Sequence, residues 1–282
     1  MKHDDIELSA AGTGLVLRPS WGGRVVSLVQ EALGDVLVPI VAEAFAPEAW
    51  PKGGAYPLVP FHNRVRFGHF DFVRSGQLPI HPESDPNALH GMGSRAVWRA
   101  GVIRSDHAEL VWSHETSAAW PWTFQATQEF RLEPRRLTLT MRVTNRDTVD
   151  MPAGLGWHPY FSPSLKPRVE AKTIWPLDEH YLPRGHSEPA PVRLDRATAY
   201  LSDWQRVEFD NKRGKLVLTA EGLDHLVVHV PGASYACIEP VSHLAGALNE
   251  PWRRPGSLEG GMTRLAPGES ITGQVALAFA QR

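Results

Sequence analysis

The sequence predicts an all-β chain, and three observations lead to that expectation. Glycine and proline number 24 each and are scattered along all 282 residues, a punctuation that suits many short strands joined by turns. Leu137, Leu139, Met141 and Val143 alternate with Arg136, Thr138, Thr140 and Arg142, the period of a strand with one buried face. No helical apolar periodicity persists for three turns, so nothing longer than a single helical turn is expected.

Strands are expected at Arg24–Gln30, Glu109–His114, Thr123–Leu132, Arg136–Asn145, Leu216–Thr219, Leu226–Val230, Tyr235–Ile238 and Ile271–Phe279. Each is a short run rich in β-branched or alternating apolar residues. Glu133-Pro134-Arg135 supplies a polar turn between two of them, which makes that pair an antiparallel hairpin. Ala10–Gly14, Pro47–Trp50 and Ala245–Glu250 each read as a single helical turn. Pro183–Pro191 has the composition of a linker, but strands of the same character lie on both sides of it. Residues 1–282 are therefore expected to form a single domain.

Composition excludes several classes of function. Hydrophobic residues make up 42% and charged residues 21%, which is a folding chain and not a disordered one. The net charge of −2 comes with no basic stripe, so nucleic acid is not an expected partner. Cys237 is the single cysteine and has no internal disulfide partner, which suits a reducing compartment. The opening M-K-H-D-D-I-E-L lacks the apolar run of a signal peptide, and no stretch reaches the length of a membrane span. A soluble cytoplasmic protein with no membrane partner is the expectation.

Thirteen histidines invite a metal reading. The chain contains no H-E-x-x-H and no cysteine pair, however. His225 and His229 fall in a β-branched run, where four residues span about 13 Å, too far for two ligands of one ion. G-x-S-x-G and the phosphate-cradling G-x-x-x-x-G-K are also missing. Neither a metal nor a cofactor is expected.

What remains is a set of polar residues in unusual local sequence. His158 lies in G-L-G-W-H-P-Y-F, where Pro159 forces it extended and Trp157 and Tyr160 are available to wall a pocket. The plainer reading is a core histidine in an aromatic cluster. His90, in A-L-H-G, follows a turn-rich loop from Pro82 to Asn87, and loops on a rigid sheet often carry binding residues. Arg64 and Arg66, in F-H-N-R-V-R-F-G, read as sharing a face of an extended segment. Glu239 ends the apolar run Y-A-C-I-E, where a carboxylate is either exposed at a rim or poised in a cleft. Asp203, in L-S-D-W, is the least distinctive.

N-R-V-R-F-G-H-F, L-H-G, G-W-H-P-Y-F, I-E-P-V-S-H-L-A-G-A-L-N and L-A-P-G-E-S resemble the aldose 1-epimerase (galactose mutarotase) family, and they occur in that family's order between residues 63 and 270. The resemblance implies a β-supersandwich of large antiparallel sheets, with a monosaccharide held in an open cleft on one of them. It implies Glu239 as general base and His158 as general acid, with Arg64, His90, Asp203 and Asn63 binding substrate. The sequence departs from galactose mutarotases in Pro240-Val241 after Glu239, where those enzymes have Thr-Gln. His90-Gly91-Met92-Gly93-Ser94-Arg95 also resembles a segment of hexose-phosphate epimerases, in which Arg66 and Arg95 would reach a phosphate.

The implied chemistry needs only one acid and one base. Removing the C1 hydroxyl proton while protonating the ring oxygen opens the ring, and rotation followed by closure gives the other anomer. Ordinary values of about 4.3 for Glu and about 6.5 for His leave the carboxylate ionised and the imidazole able to carry a proton near neutrality. Four alternatives stand beside this reading. A glycosidase would use Asp203 and Glu239 as its two carboxylates. A non-catalytic carbohydrate-binding β-sandwich would use some of the ten Trp as stacking platforms. The third is a purely structural β-domain, and the fourth is a hexose-6-phosphate 1-epimerase.

Overall fold

A computed structural model describes residues 4–41, 44, 46, 51–191, 197–249 and 260–281. Seventeen strands hydrogen-bond into one continuous sheet, and every pairing in it is antiparallel. The sheet has two halves. In the first, Arg99–Ile103, His107–His114, Phe124–Glu133, Arg136–Asn145, Ser270–Gln281 and Gly214–Glu221 pair in succession. In the second, the succession is Ile6–Ala10, Thr13–Arg18, Arg24–Gln30, Ala55–Leu58, Gly156–Phe161, Ala236–Val241 and His225–His229. This is the large antiparallel β-architecture that the sequence predicts.

One strand joins the halves. Thr198–Asp210 pairs through residues 198–202 with His225–His229 and through residues 206–210 with Gly214–Glu221. Lys166–Trp175 follows its other edge along both parts. The change of partner occurs at Asp203, which has φ 55°. Its exposed carboxylate accepts a hydrogen bond from Thr173 Oγ1 at 2.8 Å. A short polar residue tolerates that left-handed kink, and a β-branched one does not.

Strand alternation builds the core. Trp157, Phe161, Ile238, Leu226, Val228, Ala199 and Leu201 turn one way into a large apolar cluster, which they share with Leu137, Leu139, Met141 and Val143 of the first half. Phe161 and Phe209 meet there with ring centroids 4.4 Å apart. The intervening residues of the second half point to its opposite face, where Tyr56, Tyr160, Tyr200, Val227 and Cys237 form a smaller cluster.

Several expectations are corrected. Ala10–Gly14 is not helical: Ala11 and Gly12 both adopt positive φ, as a two-residue hairpin turn requires, and join two paired strands. Of the turn expected at Ala245–Glu250, residues 245–249 form tight turns, with Ala247 N–H on Leu244 O and Asn249 N–H on Gly246 O, while Glu250 lies outside the described residues. Pro47–Trp50 lies wholly outside them. Pro183–Pro191 is not a free linker, because Glu188–Pro189 pairs with Thr173 and Ile174. Tyr235–Ile238 is displaced and lengthened to Ala236–Val241, which puts Glu239 inside a strand and not at its end. No helix among the described residues is long and apolar enough to cross a membrane.

The kink makes a stability prediction. Asp203→Asn is expected to be neutral, whereas Asp203→Val should cost about 1–2 kcal/mol for the left-handed backbone. In thermal unfolding that corresponds to a loss of about 2–4 °C in Tm.

Candidate active site

Register in the second half decides what meets on its outer face. Gly156 lies opposite Val241 and Tyr160 opposite Cys237, which sets His158 directly across from Glu239. On the other side of the same strand His158 pairs with Tyr56. Glu239 pairs with Val227, and Val227 with Tyr200. One row across the sheet therefore reads Tyr56, His158, Glu239, Val227, Tyr200. The next row on the same face reads Tyr160, Cys237, His229, Thr198.

Apart from the fully buried Tyr56, these rows floor a cleft of about 250 Å³. Asn63, Arg64, Leu89 and His90 wall it, and Lys52, Glu83, Tyr181 and Tyr235 also line it. Lys52 Nζ and Glu83 Oε2 form an exposed ion pair at 2.6 Å.

His158 Nε2 lies 3.3 Å from Glu239 Oε1, and the two residues are only 5% and 2% exposed. The His158 ring stacks on Tyr56 at 4.5 Å and on Tyr160 at 4.9 Å, and the Arg24 guanidinium sits 4.4 Å from the Tyr56 ring centre. Burial pushes Glu239 up to about 8, opposed by the charge of Arg64. Burial pulls His158 well below its ordinary value, and the charges of His229 and Arg24 add to that. Ordinary values predict an ionised carboxylate beside a protonated imidazole, and the structure reverses this assignment. Near neutrality the carboxyl keeps its proton and the imidazole is neutral. The pair holds one proton in total, the same count as a carboxylate with an imidazolium.

The wall is held by unusual backbone. Asn63 and His90 have φ 55° and 63°, and His90 N–H donates to Asn63 O at 2.9 Å. Asn63 N–H donates to His90 Nδ1 at 3.2 Å, which leaves the ring proton on Nε2. Burial, followed by the neighbouring His158 and Arg64, keeps His90 neutral. Gly91 follows at φ 63°, where a Cβ would lie 2.4 Å from Val59 O, so the loop requires glycine there. Asn63 Oδ1 accepts from Tyr200 OH at 2.8 Å and from Arg64 Nη1 at 3.1 Å, fixing the guanidinium at the cleft.

The family matched by the chain is now decisive, since the aldose 1-epimerase profile covers residues 4–278. The chain belongs to the aldose 1-epimerase family. It is 30% identical to the uncharacterized protein YphB of Escherichia coli K12, over 98% of this chain and 97% of that one. Among solved structures it is similar to a galactose mutarotase-like protein from Clostridium acetobutylicum, with TM-score 0.86 and 20% identity over 100% and 96% of the two chains. A galactose mutarotase-like protein from Lactobacillus casei gives TM-score 0.78 and 16% identity over 99% and 100%.

Of the residues that the family resemblance implies, the structure brings Glu239, His158, Arg64, His90 and Asn63 to one cleft. It does not bring Asp203, which sits at the strand kink and lines a separate surface depression with Glu170 and Arg206. Arg66 also diverges from Arg64: the backbone turns after Val65, and Arg66 pairs with Asp178 at 2.9 Å. Trp157 does not line this cleft, because alternation sends it to the core. Sequence reasoning missed Tyr56, Tyr200, His229 and Cys237. Their only sequence signal is alternation, as in Thr198, Tyr200, Ser202 and in Cys237, Glu239.

Glu239 links this site to stability. The folded chain keeps a carboxyl proton up to about pH 8 that an ordinary carboxylate releases near 4.5, so this group makes stability fall as pH rises between those values. Glu239→Gln is neutral at every pH. Its Tm relative to wild type should therefore rise between about pH 5 and about pH 9. A pH-independent difference would refute the buried neutral carboxyl.

Proposed function

We propose that the chain interconverts the α and β anomers of an unphosphorylated aldose by acid–base catalysed ring opening and closure. The observation that supports this most is the buried His158–Glu239 pair, 3.3 Å apart beside a cleft walled by polar groups, where burial leaves one proton on the two residues. Moving that proton from Glu239 Oε1 to His158 Nε2 gives a carboxylate and an imidazolium without exchange with solvent. The Arg64 charge, the one neighbour that lowers Glu239, favours that form. Glu239 then removes the C1 hydroxyl proton while His158 protonates the ring oxygen, and closure returns both protons. Arg64, His90 and Asn63 hold the sugar hydroxyls so that both transfers have short paths.

The alternatives have less support. The glycosidase reading required Asp203 beside Glu239, and Asp203 is outside the cleft. The lectin reading required stacking tryptophans, and among the described residues none lines the cleft. For a phosphorylated sugar, Arg66 is paired with Asp178, and Arg95 donates to Gly91 O at 3.1 Å. Neither lines the cleft.

Polarimetry on freshly dissolved single anomers tests the reading. Glu239→Gln and His158→Asn should each lower turnover by about 10²–10⁴ while circular dichroism stays native. A folded variant with wild-type rate removes that residue from the reaction.

Because the working state carries one proton, kcat/KM should fall on the alkaline side near pH 8, as Glu239 loses it. The acid limb should lie below the ordinary histidine value, where His158 takes a second proton. An alkaline limb absent through pH 10, in about the range of free Tyr and Lys, would contradict the shared-proton pair. Glucose and galactose should be better substrates than glucose 6-phosphate by kcat/KM, and the reverse order would replace the free-sugar reading.

A further inference from the structure

His158 and Glu239 are not the only potential ligands in the floor of the cleft. Cys237 alternates with Glu239 on the same face of Ala236–Val241 and lies opposite Tyr160, one row from the pair. The ligand atoms of His158, Cys237 and Glu239 all lie within 4.8 Å of one another, and all three residues are buried. The Nε2–Oε1 separation of 3.3 Å is already close to the edge of a tetrahedron with bonds of about 2.0–2.1 Å. Glu239 is 2% exposed, yet its Oε2 has no hydrogen-bond partner among the described residues, so the carboxyl group has an acceptor to spare in a buried polar site. Cys237 is in no disulfide.

We propose that this floor is a binding site for Zn²⁺ or a similar borderline-soft divalent ion, held by Cys237 Sγ, His158 Nε2 and Glu239 and competing with the sugar. One thiolate, one imidazole and one carboxylate form a donor set suited to zinc, and hard ions such as Mg²⁺ prefer oxygen alone. Three protein ligands leave a fourth position, on the cleft side, for water. Coordination releases two protons to solvent, one from the Cys237 thiol and one from the His158–Glu239 pair, and it occupies both groups assigned to proton transfer. The ion is therefore an inhibitor here and not a cofactor. That last step rests on the proposed epimerase reading, whereas binding itself does not.

Co²⁺ added to chelator-treated protein tests the site directly. A thiolate-to-cobalt charge-transfer band is expected at one ion per chain. Because the chain has a single cysteine, such a band can come only from Cys237. Zn²⁺ should displace the cobalt and abolish the band, and His158→Ala or Glu239→Ala should weaken binding at least tenfold. In polarimetry Zn²⁺ should suppress anomerisation, a chelator should restore it, and Cys237→Ala should need at least tenfold more zinc for half inhibition. Cobalt bound without a thiolate band overturns the site using wild-type protein alone, whatever the variants do. Equal zinc sensitivity in a folded Cys237→Ala variant also overturns it. Metal-free protein that shows the band but never anomerises sugars would leave the zinc site standing and refute the epimerase reading.

Discussion

The cross-strand register between Gly156–Phe161 and Ala236–Val241 is the constraint from which the site follows. It sets His158 across from Glu239, and the neighbouring pairings extend that row to Tyr56 on one side and Tyr200 on the other. Side chains alternate with a period of two, so a slip of one residue would turn Trp157 and Ile238 toward the cleft and bury His158 in apolar core. The apolar set on the core side opposes that slip. Gly156 adds a second restraint: a Cβ there would come within 2.8 Å of Val241 Cγ1, so the strands are packed too closely for a larger residue. The chemistry rests on the same alternation that builds the core.

Placing an acid–base pair on a packed sheet has an electrostatic consequence. Both groups are buried, and burial disfavours charge on either one. The low-energy arrangement is then a neutral carboxyl beside a neutral imidazole, which keeps a single proton on the pair. A rigid strand pair holds the geometry, and the stacked rings of Tyr56 and Tyr160 fix the imidazole plane. The wall of the cleft is built differently. Asn63 and His90 sit on short segments in left-handed conformations, locked by reciprocal backbone and ring hydrogen bonds. Backbone strain of this kind persists where the surroundings over-determine it, and it clusters at functional sites.

Asp203 shows how a residue type can point to the wrong role. A carboxylate between two functional motifs invites assignment to the site. Its actual position is the point where one strand leaves one half of the sheet for the other, and its short polar side chain suits the left-handed kink and the bond to Thr173. Arg66 is similar. Its charge is spent on Asp178 because the backbone turns immediately after Val65.

The sequence by itself determined the all-β class and the central hairpin, and its family resemblance pointed to His158 and Glu239, the pair proposed here to transfer protons. Those features are local. Alternation over Arg136–Asn145 specifies a half-buried strand, and H-P-Y-F and I-E-P carry their family resemblance in adjacent residues. The sequence did not reveal the strand at Gly156–Phe161, since a proline inside a run argues against a central strand. Nor did it show that Glu239 lies mid-strand, or that Tyr200 and His229 share its face. Those facts depend on which strands pair and in what register, between residues tens of positions apart. Only burying the apolar faces together in three dimensions fixes that register, and with it the distance from His158 to Glu239.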